Sequence, residues 1–149
     1  MAVVVVKGNL LEAAEDIIGH QVNCQSVMGS GVAKALKAKY PAIYPAYMNF
    51  CNGREPESLL GELQLVPAGG KRVANLFGQL KFGRSKVVYT NYDALGKALR
   101  ELKDYAQQEE MSVALPYQIG CGLANGDWKV VEAMLQEIFA DYKVTLYKI

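Results

Sequence analysis

Histidine occurs once in these 149 residues, at position 20, and tryptophan once, at position 128. A single imidazole excludes the usual zinc clusters, which draw on several histidines and cysteines at fixed spacing. Cysteine is also scarce: Cys24, Cys51 and Cys121 are odd in number and far apart. That fits reduced thiols in a cytoplasmic protein better than a disulfide framework. Neither sign of charge is in excess, with 16 basic against 15 acidic residues and a net charge of +1. No nucleic-acid or anionic-membrane surface is advertised by such a balance, so any bound anion must be held locally. Long apolar runs are missing too. Val3 to Val6 is closed by Lys7, Gly8 and Asn9, too short for a signal peptide or a membrane span, and reads as a buried strand. Nothing calls for a metal or a cofactor.

What is present fits one domain over residues 1–149, since 51% hydrophobic content at this length fills one core and is tight for two. Short β-branched runs alternate with helical patterns, the mark of an α/β protein. After the first strand, Leu11 to Asp16 reads as a short helix and Ile17 to Asn23 as a second strand. A helix begins at Gly31 and is bounded by Pro41, and Ile43 to Phe50 continues as another. Cys51 to Ser58 reads as a surface loop. Glu62 to Val66 and Arg72 to Phe77 form a hairpin through Ala68, Gly69 and Gly70, which makes the sheet mixed. Tyr92, Leu95, Leu99, Leu102 and Ala106 recur at helical spacing from Asn91 to Gln108, with Thr90 and Asp93 resembling a capping box. Ser112 to Leu115 is a strand, Trp128, Val131, Leu135 and Ile138 mark a last helix, and Lys143 to Tyr147 a closing strand.

Two glycine-rich segments carry the chemistry: Met28-Gly29-Ser30-Gly31-Val32, and Ile119-Gly120-Cys121-Gly122-Leu123 after Pro116. Each follows a strand and opens a helix, where successive backbone amides can hold phosphate, and a Cβ would block close approach of a diphosphate. A single such segment could be only a tight turn; two in matching contexts suit a diphosphate between them. A Walker-type loop is excluded, because no Gly-Lys-Ser/Thr follows Gly29-Ser30-Gly31. A dinucleotide fingerprint is excluded by the missing third glycine and by the position after the second strand.

VKGNLLE, HQVNCQSVMGSGVAKALKAKYP, ANLFGQ and LPYQIGCGLANGDW together resemble a macrodomain of the Appr-1-p processing family, in the expected order over nearly the whole chain. They resemble most the branch with yeast-type ADP-ribose 1″-phosphate phosphatases, bacterial and phage relatives, and the human enzyme that removes ADP-ribose from glutamate. The resemblance implies a three-layer α/β/α fold around a central mixed sheet, and ADP-ribose, ADP-ribose 1″-phosphate or an ADP-ribosylated protein as partner. It implies Gly8 and Asn9 beside the adenine, Asn23 near the distal ribose and Phe77 bordering the ribose pocket. Met28 to Val32 would line the distal ribose and one phosphate, and Ile119 to Leu123 would offer amides to the other.

Glutamate-ADP-ribose hydrolysis in that branch resembles a lysine nucleophile after the ANLF-type strand and an aspartate after GCGL, but this chain has Gln79 and Ala124 there. The covalent route is expected to be absent unless Lys81 or Asp127 substitutes. The hydrolytic branch with an asparagine pair before a triple-glycine loop is also departed from. Phosphomonoester hydrolysis remains, with His20 and Asp127 as the candidate catalytic pair, beside the reading of a binding module without turnover. His20 matches the phosphatase histidine, yet a strand histidine is as readily a hydrogen-bonded core residue. Asp127 before Trp128 is equally a natural helix cap. Cys121 lacks a partner base and reads as packing.

Overall fold

A computed structural model describes residues 2–149. Its strands are β1 (Val3–Lys7), β2 (Ile17–Asn23), β3 (Leu63–Ala68), β4 (Lys71–Gln79), β5 (Val113–Pro116) and β6 (Val144–Lys148). They form a six-stranded sheet in the order β1-β6-β5-β2-β4-β3. Neighbours run parallel except β3, which pairs antiparallel with β4, so the expected hairpin is the one reversal in a mixed sheet. The helices are α1 (Gly31–Lys39), α2 (Ile43–Cys51), α3 (Pro56–Leu59), α4 (Tyr92–Glu109) and α5 (Trp128–Ile138).

Alternation along β2 sorts the layers, because successive strand residues face opposite sides. Ile17 packs with Leu95, Leu99 and Leu102 of α4 and Val131 and Leu135 of α5. Ile18 and Val22 pack on the other side with Leu36 of α1 and Ile43 and Tyr47 of α2. The sheet is therefore sandwiched between α4/α5 and α1/α2, the three-layer arrangement. Among the described residues no helix is long and apolar enough to cross a membrane.

Local differences from the sequence reading have physical causes. The helix expected over residues 11–16 is a single 3-10 turn, Leu10–Glu12, closed because Ala13 is extended. Val3 to Val6 does not form a buried strand: β1 pairs only with β6 at the sheet edge, and Val5 is 49% exposed. The segment 51–58 is not all loop, as Pro56 starts α3, where its missing N–H is not needed. Asn91, not Thr90, caps α4, its side chain accepting from the amide of Ala94 at 3.0 Å. The second glycine loop does not open directly into a helix either. Asn125, left-handed at φ 61°, and Gly126 intervene before α5 begins behind Asp127.

Candidate functional site

The connection after β2 enters α1 on one face of the sheet, and the connection after β5 enters α5 on the other. β2 and β5 are neighbours, so the chain leaves their carboxyl ends in opposite directions and opens a crevice between them. Open α/β sheets bind ligands at such a switch point. Here it is flanked by the two glycine segments predicted from sequence.

The first segment runs into α1, which begins at Gly31; the side chain of Ser30, the residue before it, makes no cap hydrogen bond. Among the described residues no backbone acceptor meets the amides of Gly29, Ser30, Gly31 or Val32. With no acidic residue in the first turn, the start of α1 keeps the positive end of its dipole uncompensated. Gly31 is left-handed at φ 61°, and a Cβ there would lie 3.3 Å from Cδ1 of Leu123. The two segments thus meet across the crevice at Gly31 and Leu123. On the far side Gly120 is also left-handed, at φ 76°, and the amides of Gly122 and Leu123 likewise have no backbone acceptor among the described residues. Val32 and Leu123 are exposed, whereas the side chains of Met28 and Ile119 are buried and anchor the loops.

A groove of about 590 Å³ continues from these loops, lined by Asn9, Leu10, Val32, Pro116, Tyr117, Tyr147 and Lys148 among others. That volume lies in the range of small-molecule sites, about 300–1,000 Å³. Gly8 donates its amide to Lys148 O at 2.9 Å, and a Cβ at Gly8 would meet the Tyr147 ring at 3.4 Å. Asn9 bonds Leu11 N through its side chain at 3.0 Å, and Lys148 Nζ lies 4.8 Å from the centroid of the Tyr117 ring. A second hollow, about 350 Å³, opens at the amino ends of the strands, but Glu15, Asp16 and Glu110 line it. Those carboxylates would repel a diphosphate.

Other predicted residues lie inside the protein. His20 is 1% exposed, on the α1/α2 side of the sheet, with Nε2 2.6 Å from Asn75 Oδ1. Asn75 donates onward to Gln64, and Gln64 to Ala46 O. Burial lowers the His20 pKa from 6.5 to about 4, against the smaller opposing effect of Asn75. The ring is neutral at pH 7 and touches no open surface. Phe77 is fully buried, stacked between Tyr47 and Phe50 at centroid distances of 5.8 and 5.6 Å. Asn23 shapes its own loop, donating to Val27 O and accepting from Gln25 N and the Tyr47 hydroxyl. Desolvation, then the nearby Asp127, pushes the Cys121 thiol up to about 11, so it stays protonated.

Asp127 is exposed and caps α5, Oδ1 accepting from Lys129 N at 3.0 Å. Gln79 accepts from Gln21 and donates to Lys81 O, so both ends of its amide are engaged. Sequence reasoning missed Gln21, Thr90 and Asn125, which tie the second loop down, and Tyr117 and Tyr147 in the groove. Period-two alternation from His20 puts Gln21 on the opposite face, toward the second loop, and is the one signal that could have found it.

The Macro domain family model matches residues 20–135. The ADP-ribose 1″-phosphate phosphatase of Scheffersomyces stipitis is 28% identical over 93% of this chain and 96% of its own. Among solved structures, a protein of unknown function from Bacteroides thetaiotaomicron superposes with a TM-score of 0.88 at 29% identity, covering 100% of this chain and 99% of that one. The macrodomain of Mycobacterium tuberculosis DarG does so with a TM-score of 0.80 at 29% identity, over 99% and 97% of the two chains. With its family model, sheet order and switch-point crevice in agreement, the chain belongs to the Macro domain family.

Proposed function

We propose that this protein binds ADP-ribose or a derivative in the crevice between β2 and β5 and removes the phosphate from ADP-ribose 1″-phosphate. The observation that carries the binding half is the pair of unpartnered amide rows meeting at Gly31 and Leu123. Facing main-chain donors suit a diphosphate in a protein of near-zero net charge. The groove beside Asn9, Tyr117 and Tyr147 offers aromatic and aliphatic surface for the adenosine end. The hydrolytic half is supported by the phosphatase relative, aligned over nearly the full length of both chains.

In this reading Asp127 handles the proton. It is the one carboxylate in the segment 116–127, it is exposed, and capping α5 engages only its Oδ1. As water forms its bond to phosphorus and the bond from phosphorus to the ribose oxygen breaks, a carboxylate at the loop's end can accept the water's proton and return it to the departing ribose oxygen, which leaves as a hydroxyl. His20, neutral and turned into the core, serves instead by anchoring β2 through Asn75. Incubation with ADP-ribose 1″-phosphate is expected to release inorganic phosphate, and Asp127→Asn to abolish release while binding persists. No release by the wild type at saturating substrate leaves the second reading, a module that recognises ADP-ribose, free or on a protein, without turnover. That reading is supported by Gln79, whose neutral and doubly bonded amide offers no nucleophile for the covalent glycohydrolase route, the other turnover open to this site.

A further inference from the structure

Thr90 sits where the segment after β4 turns into α4, and only 5% of it is exposed. Its hydroxyl donates to Gly120 O at 2.6 Å and accepts from Gln21 Nε2 at 3.0 Å. Gly120 O takes a second donor, the amide of Gly126, at 2.9 Å. Gln21 Nε2 also donates to Gln79 Oε1 at 2.9 Å. Both hydrogens of the Gln21 amide are thereby engaged, and among the described residues its buried Oε1 has no donor. Unmet buried acceptors are rare and costly, and such costs collect at functional sites. A Cβ at Gly120 would lie 3.1 Å from Gln21 Oε1 and 3.2 Å from Thr90 Oγ1, so this network and the glycine require each other.

Gly120 supplies the left-handed turn that starts the second loop, but the conformational freedom of a glycine also lets its peptide rotate. Rotation would carry the carbonyl, the negative end of the peptide dipole, toward a diphosphate in the crevice. The Thr90 hydroxyl and the Gly126 amide on that carbonyl oppose it, as does the amide at the other end of the same peptide, Cys121 N, which donates to Gln118 O at 2.9 Å. We propose that Thr90 is a positioning residue of the diphosphate site, its hydroxyl locking the Gly120 carbonyl inward so that the amides of Gly122 and Leu123 face the ligand. This rests on the reading that the crevice holds ADP-ribose.

The test is calorimetric titration of wild type, Thr90→Val and Thr90→Ser with ADP-ribose and, separately, with adenosine, which lacks the diphosphate. Thr90→Val is expected to weaken ADP-ribose binding about tenfold, the worth of one good hydrogen bond, with adenosine unaffected. Thr90→Ser, which keeps the hydroxyl and drops the methyl, is expected to restore affinity. Should the valine variant not fold, Thr90→Cys carries the same comparison, because a thiol is a weak donor. Equal ADP-ribose affinity in the valine and wild-type proteins overturns the assignment, as does an equal loss for adenosine or a loss that serine fails to recover. A wild type that binds no ADP-ribose overturns the assignment and the reading beneath it together.

Discussion

Gly122 has open space where a side chain would begin, with nothing among the described residues within 4 Å of a Cβ at that position. Gly122→Glu should therefore leave the fold intact while setting bulk and negative charge against a bound diphosphate. ADP-ribose affinity is expected to fall about tenfold or more with the melting temperature within a few degrees of wild type, on the scale of one like-charge contact. Unchanged affinity in the folded variant would place the diphosphate elsewhere. This glycine was legible in the sequence because the role proposed for it depends on lacking a side chain. His20 was less so, since a strand histidine reads the same whether it faces solvent or core. Its folded pKa of about 4 lies below the ordinary 6.5, so the unfolded chain binds the proton more readily. Stability from this group is full above pH 6.5 and is lost as the pH falls toward 4, by about 3 kcal/mol at most. Urea unfolding across that range should show the loss in the wild type and its absence in His20→Gln; parallel profiles would refute the burial argument.

At the scale of elements, Asp127 caps α5, and a pair of substitutions separates that cap from the proton transfer proposed for the same side chain. Asn is as good a helix cap as Asp, whereas Ala is not. Asp127→Asn should keep thermal stability and Asp127→Ala should lose about 1 kcal/mol through α5, with both losing phosphate release. Turnover retained by the asparagine variant would remove the carboxylate from the chemistry. Helices and strands were legible where periodicity was strong: α4, with apolar residues at every three to four positions, lies within a residue of its expected ends. The cap at its start was misread because Thr90 and Asn91 are both capping residue types, and only the tertiary structure turns Thr90 toward Gly120. β1 looked buried because four valines in a row resemble an inner strand, yet sheet order, which local pattern does not encode, leaves it at the edge.

For the whole molecule, function follows from strand order. Placing β5 beside β2 brings two loops about 90 residues apart in sequence to one crevice, α1 and α5 leaving it on opposite faces. Each loop could be recognised from its glycines, but their meeting depends on topology, and the family resemblance supplied that before the fold did. Titration of ¹⁵N-labelled protein with ADP-ribose tests this most directly. Saturable shifts are expected in the amides of Gly29 to Val32 and Gly120 to Leu123, with Asn9 and Lys148 moving at the groove. No binding, or saturation that leaves both glycine segments unmoved, would contradict it.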